Sequence, residues 1–81
     1  MNRQEIEQKA KAVILDVLKL EQPDRLTDHT NLPDDLDADS LDYVDIIIGL
    51  ESEFDVHINE DEVYDLRTPK EIYDYLEKHL K

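Results

Sequence analysis

Residues 39–55 read Asp-Ser-Leu-Asp-Tyr-Val-Asp-Ile-Ile-Ile-Gly-Leu-Glu-Ser-Glu-Phe-Asp. Asp39 suits an N-cap and Asp42 stands at the third helical position, so the stretch predicts a helix over 40–55. At 100° per residue, Tyr43, Ile46, Ile47, Leu50 and Phe54 share one apolar arc, which is assigned to a core. Leu41, Val44 and Ile48 fall on a second arc, edged by Asp45, Glu51, Ser52 and Asp55. A surface helix needs only one apolar face. The second stripe either pads a neighbouring element or is there to be met by something outside the chain.

Toward the N-terminus, residues 21–38 carry no sustained period. Pro23, Asp24, Asp28, Asn31 and Pro33 are turn formers, and Leu26, Leu32 and Leu36 would pin such a loop to a core. Before it, Ile6, Ala10, Val13, Ile14, Val17 and Leu18 keep helical spacing and predict a helix over 3–20, with Asn2 and Glu5 placed like a capping box. Toward the C-terminus, Asn59 and Glu62 mark a short helix near 60–66. Thr68, Pro69 and Glu71 take the N-cap, N1 and N3 positions of a last helix, along which Ile72, Tyr75, Leu76, His79 and Leu80 keep helical spacing. Val56-His57-Ile58 is too short for a convincing strand. The expected fold is all-α: a four-helix bundle of three main helices and one short one, with a long loop between the first two, forming a single domain over 1–81.

Composition narrows the function. The 81 residues hold 22 acids, 9 Lys or Arg and no Cys, for a net charge of −13. Disulfides, thiolate nucleophiles and Cys-based zinc sites are excluded. No apolar run approaches the length of a membrane span, and the N-terminus does not read as a secretion signal, so a cytoplasmic protein without membrane insertion is expected. Between Asp34 and Asp65 there are 13 acids and no Lys or Arg, while the remainder balances 9 acids against 9 bases. A field of that sign repels nucleic acid and steers basic protein surfaces.

Ser40 sits at a helix start, after a long loop and between carboxylates. A Ser there can simply begin the helix. As a catalytic nucleophile it lacks a neighbouring base and an orienting group, and His29, His57 and His79 form no motif with it. A hydroxyl offered to another enzyme for modification fits the setting better, and a phosphate ester would meet favourable backbone N–H groups at a helix N-terminus. Asp35, Asp37 and Asp39 are spaced like the first ligands of a calcium-binding EF-hand. Ser40 replaces the required Gly and Ile46 the closing Glu, so that loop fails and no dedicated metal site is expected.

Asp35-Leu36-Asp37-Ala38-Asp39-Ser40-Leu41-Asp42 resembles the phosphopantetheine attachment motif of acyl carrier proteins. Ile46 to Phe54 resembles the body of that family's second helix, and Asp55 to Ile58 its passage into the third. The resemblance covers nearly the whole chain. It implies a four-helix bundle that is not itself an enzyme. A phosphopantetheinyl transferase would move 4′-phosphopantetheine from coenzyme A onto Ser40, and the arm's thiol would hold acyl groups as thioesters for fatty acid or related lipid synthesis. Ile46, Leu50, Phe54, Ile58, Leu66 and Ile72 would shelter the acyl chain. Asp39, Leu41, Asp42, Val44, Asp45, Ile48, Glu51 and Asp55 would form the docking face for acyl transferases, ketoacyl synthases, reductases and dehydratases with basic patches. A monomer is implied.

Several positions depart from the family pattern. Asp37 stands where Gly is usual, Ser52 where an acid is common and Asn59 where Pro is common, which hints at a specialised carrier. Gly49, the chain's single Gly, lies mid-helix at a cost of about 1 kcal/mol against Ala; it either permits close approach of a partner or is a tolerated defect. The other readings are a carrier of aminoacyl, D-alanyl, peptidyl or polyketide cargo, and an acidic adaptor whose Ser40 stays unmodified.

Overall fold

The computed structural model describes residues 2–80. Among them the order is α1 (Arg3–Leu18), a 3₁₀ turn (Pro23–Arg25), α2 (Leu32–Leu36), α3 (Ser40–Phe54), α4 (Glu60–Tyr64) and α5 (Pro69–His79), with no strand among the described residues. The all-α expectation holds, and the three long helices start where their caps place them. Asn2 accepts from the Glu5 N–H, and Thr68 and Glu71 form a reciprocal capping box. The long connection is more ordered than its sequence suggests. Asn31 caps α2 by accepting from the Asp34 N–H at 2.9 Å, while Asp35 accepts from the Asn31 N–H at 2.9 Å. A helix of five residues is shorter than two turns and shows no period to read.

One core joins the helices. Ile6, Ala10 and Ile14 of α1 meet Tyr43, Ile46, Ile47, Leu50 and Phe54 of α3, with Ile72, Tyr73 and Leu76 of α5, Val63 of α4 and Ile58 before it. α1 packs on both α3 and α5, and α4 packs on α3. Leu26 and Leu32 are buried and Leu36 half-buried, which holds the connection to this core as expected. Two backbone bonds add to that hold: Leu32 N–H to Arg67 O at 2.8 Å and Lys70 N–H to Asp28 O at 3.1 Å. Arg3 lies over the Tyr73 ring and pairs with Glu7, Asp74 and Glu77, tying α1 to α5.

Gly49 has a specific neighbour. A Cβ there would lie 2.7 Å from Cγ1 of Val13, so the close approach served is that of α1 to α3 within the chain and not that of a partner. No helix terminus uses it. α1, α2 and α3 end instead on Lys19, Asp37 and Asp55, each at positive φ (54°, 57° and 54°). At α1 and α3 the chain closes in a Schellman pattern, with Leu20 N–H bonded to Leu15 O and Val56 N–H to Glu51 O. Residues with a Cβ adopt this conformation at a cost that Gly avoids.

That cost makes Asp37→Gly a test of the loop before Ser40. The substitution is expected to stabilise the fold by about 0.5–1 kcal/mol, read as a rise of a few degrees in the thermal midpoint. An unchanged or lower midpoint would mean that the Asp37 side chain contributes something Gly cannot replace.

Candidate functional site

α3 begins on a tightly defined cap. The Asp39 carboxylate accepts from the Asp42 N–H at 3.0 Å, and the Asp42 carboxylate accepts from the Asp39 N–H at 3.1 Å. Just before it, Ala38 is buried and its N–H reaches Leu32 O at 3.1 Å, while Asp37 makes the left-handed bend out of α2. Ser40 is therefore the first helical residue, exposed, on a support fixed from both sides. Ser40 does begin the helix, but the capping bonds are made by Asp39 and Asp42. Among the described residues no hydrogen bond engages the Ser40 hydroxyl; the polar contacts at this corner belong to its neighbours. The histidines are occupied elsewhere or free of it: His57 lies 3.5 Å from Glu51, and His79 lies 3.7 Å from Glu62.

Such a hydroxyl fits a covalently attached phosphopantetheine. Its oxygen is open to an incoming transferase, no internal bond must break, and the arm would leave into solvent. The chain has no Cys that could supply a thiol of its own.

Beside Ser40 the second arc of α3 is largely open. Leu41 is 72% exposed and Ile48 57% exposed, with Val44 half-buried between them, and these two are the exposed large hydrophobic residues of the described chain. The acids around the stripe divide into two groups. Asp45 and Asp55 are exposed, and among the described residues neither takes part in an ion pair. Asp39 and Asp42 are bound up in the cap, and Glu51 accepts from the Ile58 N–H at 2.9 Å, which fixes the turn after α3. Spacing put Asp45, Glu51 and Asp55 beside the stripe and the family resemblance added Asp39 and Asp42, but neither could show which were already spent on local structure.

The candidate acyl-chain residues Ile46, Leu50, Phe54, Ile58 and Ile72 come together in the core, each 7% exposed or less, and Leu66 lies at its edge, half-buried. A surface cavity of about 360 Å³ lined by Lys19, Leu20, Glu21, Gln22 and Arg25 includes none of them. One contact was not foreseen. The Tyr43 hydroxyl donates to Leu66 O at 2.6 Å, and its ring meets that of Tyr64 edge-on with centroids 6.0 Å apart. Burial raises the Tyr43 phenol above its ordinary pKa, against the opposing influence of Arg67. The available signal was a Tyr on a buried arc, whose hydroxyl must find a partner; the partner lies 23 residues away.

Comparison with known proteins agrees with this geometry. The family described as "Phosphopantetheine attachment site" matches residues 8–76. The acyl carrier protein of Thermosynechococcus vestitus is 38% identical over 76 residues, covering 94% of this chain and 93% of its own. That of Amoebophilus asiaticus is 42% identical over 76 residues, covering 94% of each. That of Lactobacillus acidophilus is 38% identical over 79 residues, covering 98% of each. An exposed, unbonded Ser at the head of a capped helix, in an all-helical chain matched almost end to end, places this protein in the phosphopantetheine-bearing acyl carrier protein family.

Proposed function

We propose that this chain carries acyl groups as thioesters on a 4′-phosphopantetheine arm attached to Ser40, and delivers them to enzymes of fatty acid or related lipid biosynthesis. The observation that carries the reading is the free Ser40 hydroxyl, exposed on a cap made entirely by Asp39 and Asp42. When attached, the arm supplies a thiol whose thioester keeps the acyl carbonyl electrophilic and the adjacent carbon acidic. The chain's own residues do the rest. Asp39 and Asp42 hold the attachment point still, Leu41, Val44 and Ile48 offer a small apolar contact, and Asp45 and Asp55 draw in basic surfaces. The protein works as a monomeric single domain in the cytoplasm, a substrate for its enzymes and not a catalyst.

Incubation with coenzyme A, Mg²⁺ and a broad-range phosphopantetheinyl transferase tests this. A mass gain of one phosphopantetheine is expected, and an unchanged mass with transferases that prime other carriers overturns the proposal.

The docking face has its own test. Asp45→Lys is expected to lower kcat/KM of a partner enzyme about 3- to 10-fold at low salt, with a smaller deficit at high salt and an unchanged fold. Asp45 is the residue to reverse because it makes no ion pair among the described residues, whereas Glu51→Lys would also release the Ile58 N–H. Equal turnover of wild type and Asp45→Lys at low salt would remove Asp45 from the interface.

A further inference from the structure

Two hydrogen-bonded routes lead from either side of Ser40 to the same place. Two residues before it, Ala38 N–H reaches Leu32 O at 3.1 Å, and Leu32 N–H reaches Arg67 O at 2.8 Å. Three residues after it, the Tyr43 hydroxyl donates to Leu66 O at 2.6 Å. The Leu66–Arg67 segment, distant in sequence, is thereby bound to both flanks of the attachment point. It brings a cation. Arg67 is the first positive charge after the stretch from Asp34 to Asp65, which holds 13 acids and no Lys or Arg. Its side chain is exposed and enters no ion pair among the described residues. Glu71 of α5 is already taken, since it accepts from the Arg67 and Thr68 N–H groups, both at 3.2 Å. Burial raises the Tyr43 phenol and the Arg67 charge opposes this, so the guanidinium stands near the Tyr43 hydroxyl.

We infer that Arg67 is the internal counter-charge for an arm on Ser40: its guanidinium pairs with the phosphodiester and holds the root of the arm toward the segment between α4 and α5. The inference rests on the carrier reading above and deepens it. A phosphodiester is a fixed anion, set down here among carboxylates, and a planar guanidinium is suited to two of its oxygens at once. The side of the helix matters. At 3.6 residues per turn, Tyr43 lies about 60° to one side of Ser40 on α3 and Val44 about 40° to the other. Arg67 is on the Tyr43 side, and the stripe of Leu41, Val44 and Ile48 is on the other. A root drawn toward Arg67 leaves that stripe uncovered for a partner, while the rest of the arm continues into solvent. Arg67 is a positioning residue and takes no part in forming or breaking the thioester.

The test uses the full chain, unprimed and primed, with priming verified by mass. The first readout is the thermal midpoint of the primed form minus that of the unprimed form within each variant, so that any general effect of a substitution cancels. At low salt this difference is expected to be about 2–4 °C lower in Arg67→Gln than in wild type, to be largely kept in Arg67→Lys, and to converge in all three at high salt. Lys78→Gln, which removes an equal charge from the last turn of α5, is expected to match wild type. The second readout is the NMR signal of the Arg67 Nε–H in wild type, which is expected to shift on priming. Should Arg67→Gln resist priming, that signal decides alone. An Arg67→Gln difference equal to that of wild type at low salt, a loss as large in Lys78→Gln, or an Arg67 signal unmoved by priming overturns the counter-charge while leaving the carrier function intact. A chain that cannot be primed at all overturns both.

Discussion

Ser40→Ala is expected to abolish phosphopantetheine incorporation completely, with no residual slow priming, while the protein keeps its wild-type fold. The first half follows from the chemistry of attachment: the phosphodiester needs the side-chain oxygen, and Ala has none. The second half follows from the cap. Had Ser40 been the N-cap, its loss would cost about 1 kcal/mol. Asp39 is the N-cap and its bond to the Asp42 N–H survives the change. Ser40 occupies the first helical position, exposed, where Ala is at least as good a helix former, so stability should move by less than about 0.5 kcal/mol. Intact-mass measurement reads the modification and a thermal melt reads the fold. A Ser40→Ala protein that still gains one phosphopantetheine would relocate the attachment point to another hydroxyl. One that loses the modification and also unfolds would show that Ser40 matters to the fold in a way its position does not account for.

Gly49→Leu is expected to destabilise the protein by about 2 kcal/mol or more, about 10 °C in midpoint for a chain of this size. Two effects oppose each other. Replacing Gly inside a helix recovers about 1 kcal/mol of backbone entropy. Against that, any Cβ at this position falls 2.7 Å from Cγ1 of Val13. Val is branched at Cβ and cannot swing that methyl aside without leaving its preferred rotamer, so α1 must move away from α3 and loosen the contact between Ile6, Ala10, Ile14 and the α3 face. For Gly49→Ala the two terms are similar in size and the net change is small. For Leu the added volume decides. Val13→Ala should restore part of the loss in Gly49→Leu, since it removes the atom that collides. A Gly49→Leu protein as stable as wild type would show that α1 does not approach α3 as closely as the structure has it.

The two exposed apolar residues of the described chain, Leu41 and Ile48, were legible as a second arc from spacing alone. What spacing could not distinguish was an acid held by its own backbone from an acid free to attract a partner. Asp42, Asp45 and Glu51 read alike in sequence. In the folded chain Asp42 closes the α3 cap, Glu51 holds the Ile58 N–H, and Asp45 remains without an ion pair among the described residues. Sensitivity to charge reversal at the proposed docking face should therefore concentrate at Asp45 and Asp55. The three histidines were equally ambiguous. Two of them stand beside Glu51 and Glu62, and none meets Ser40.

Local signals were enough to establish α1, α3, α4 and α5, because a cap, a Pro at N1 and a 3.6-residue period act over a few neighbouring residues and are complete within them. The Thr68–Glu71 box and the Asp39–Asp42 pair are of this kind, and both form as their spacing requires. The tertiary structure alone decided which residues answer one another across the chain. Val13 explains why position 49 has no side chain, Leu66 explains where the Tyr43 hydroxyl goes, and Arg67 and Asp28 explain how a connection without periodicity stays ordered. Each of these depends on an interhelical distance of a few ångströms, set by the packing of the whole core, and no window along the sequence contains both partners.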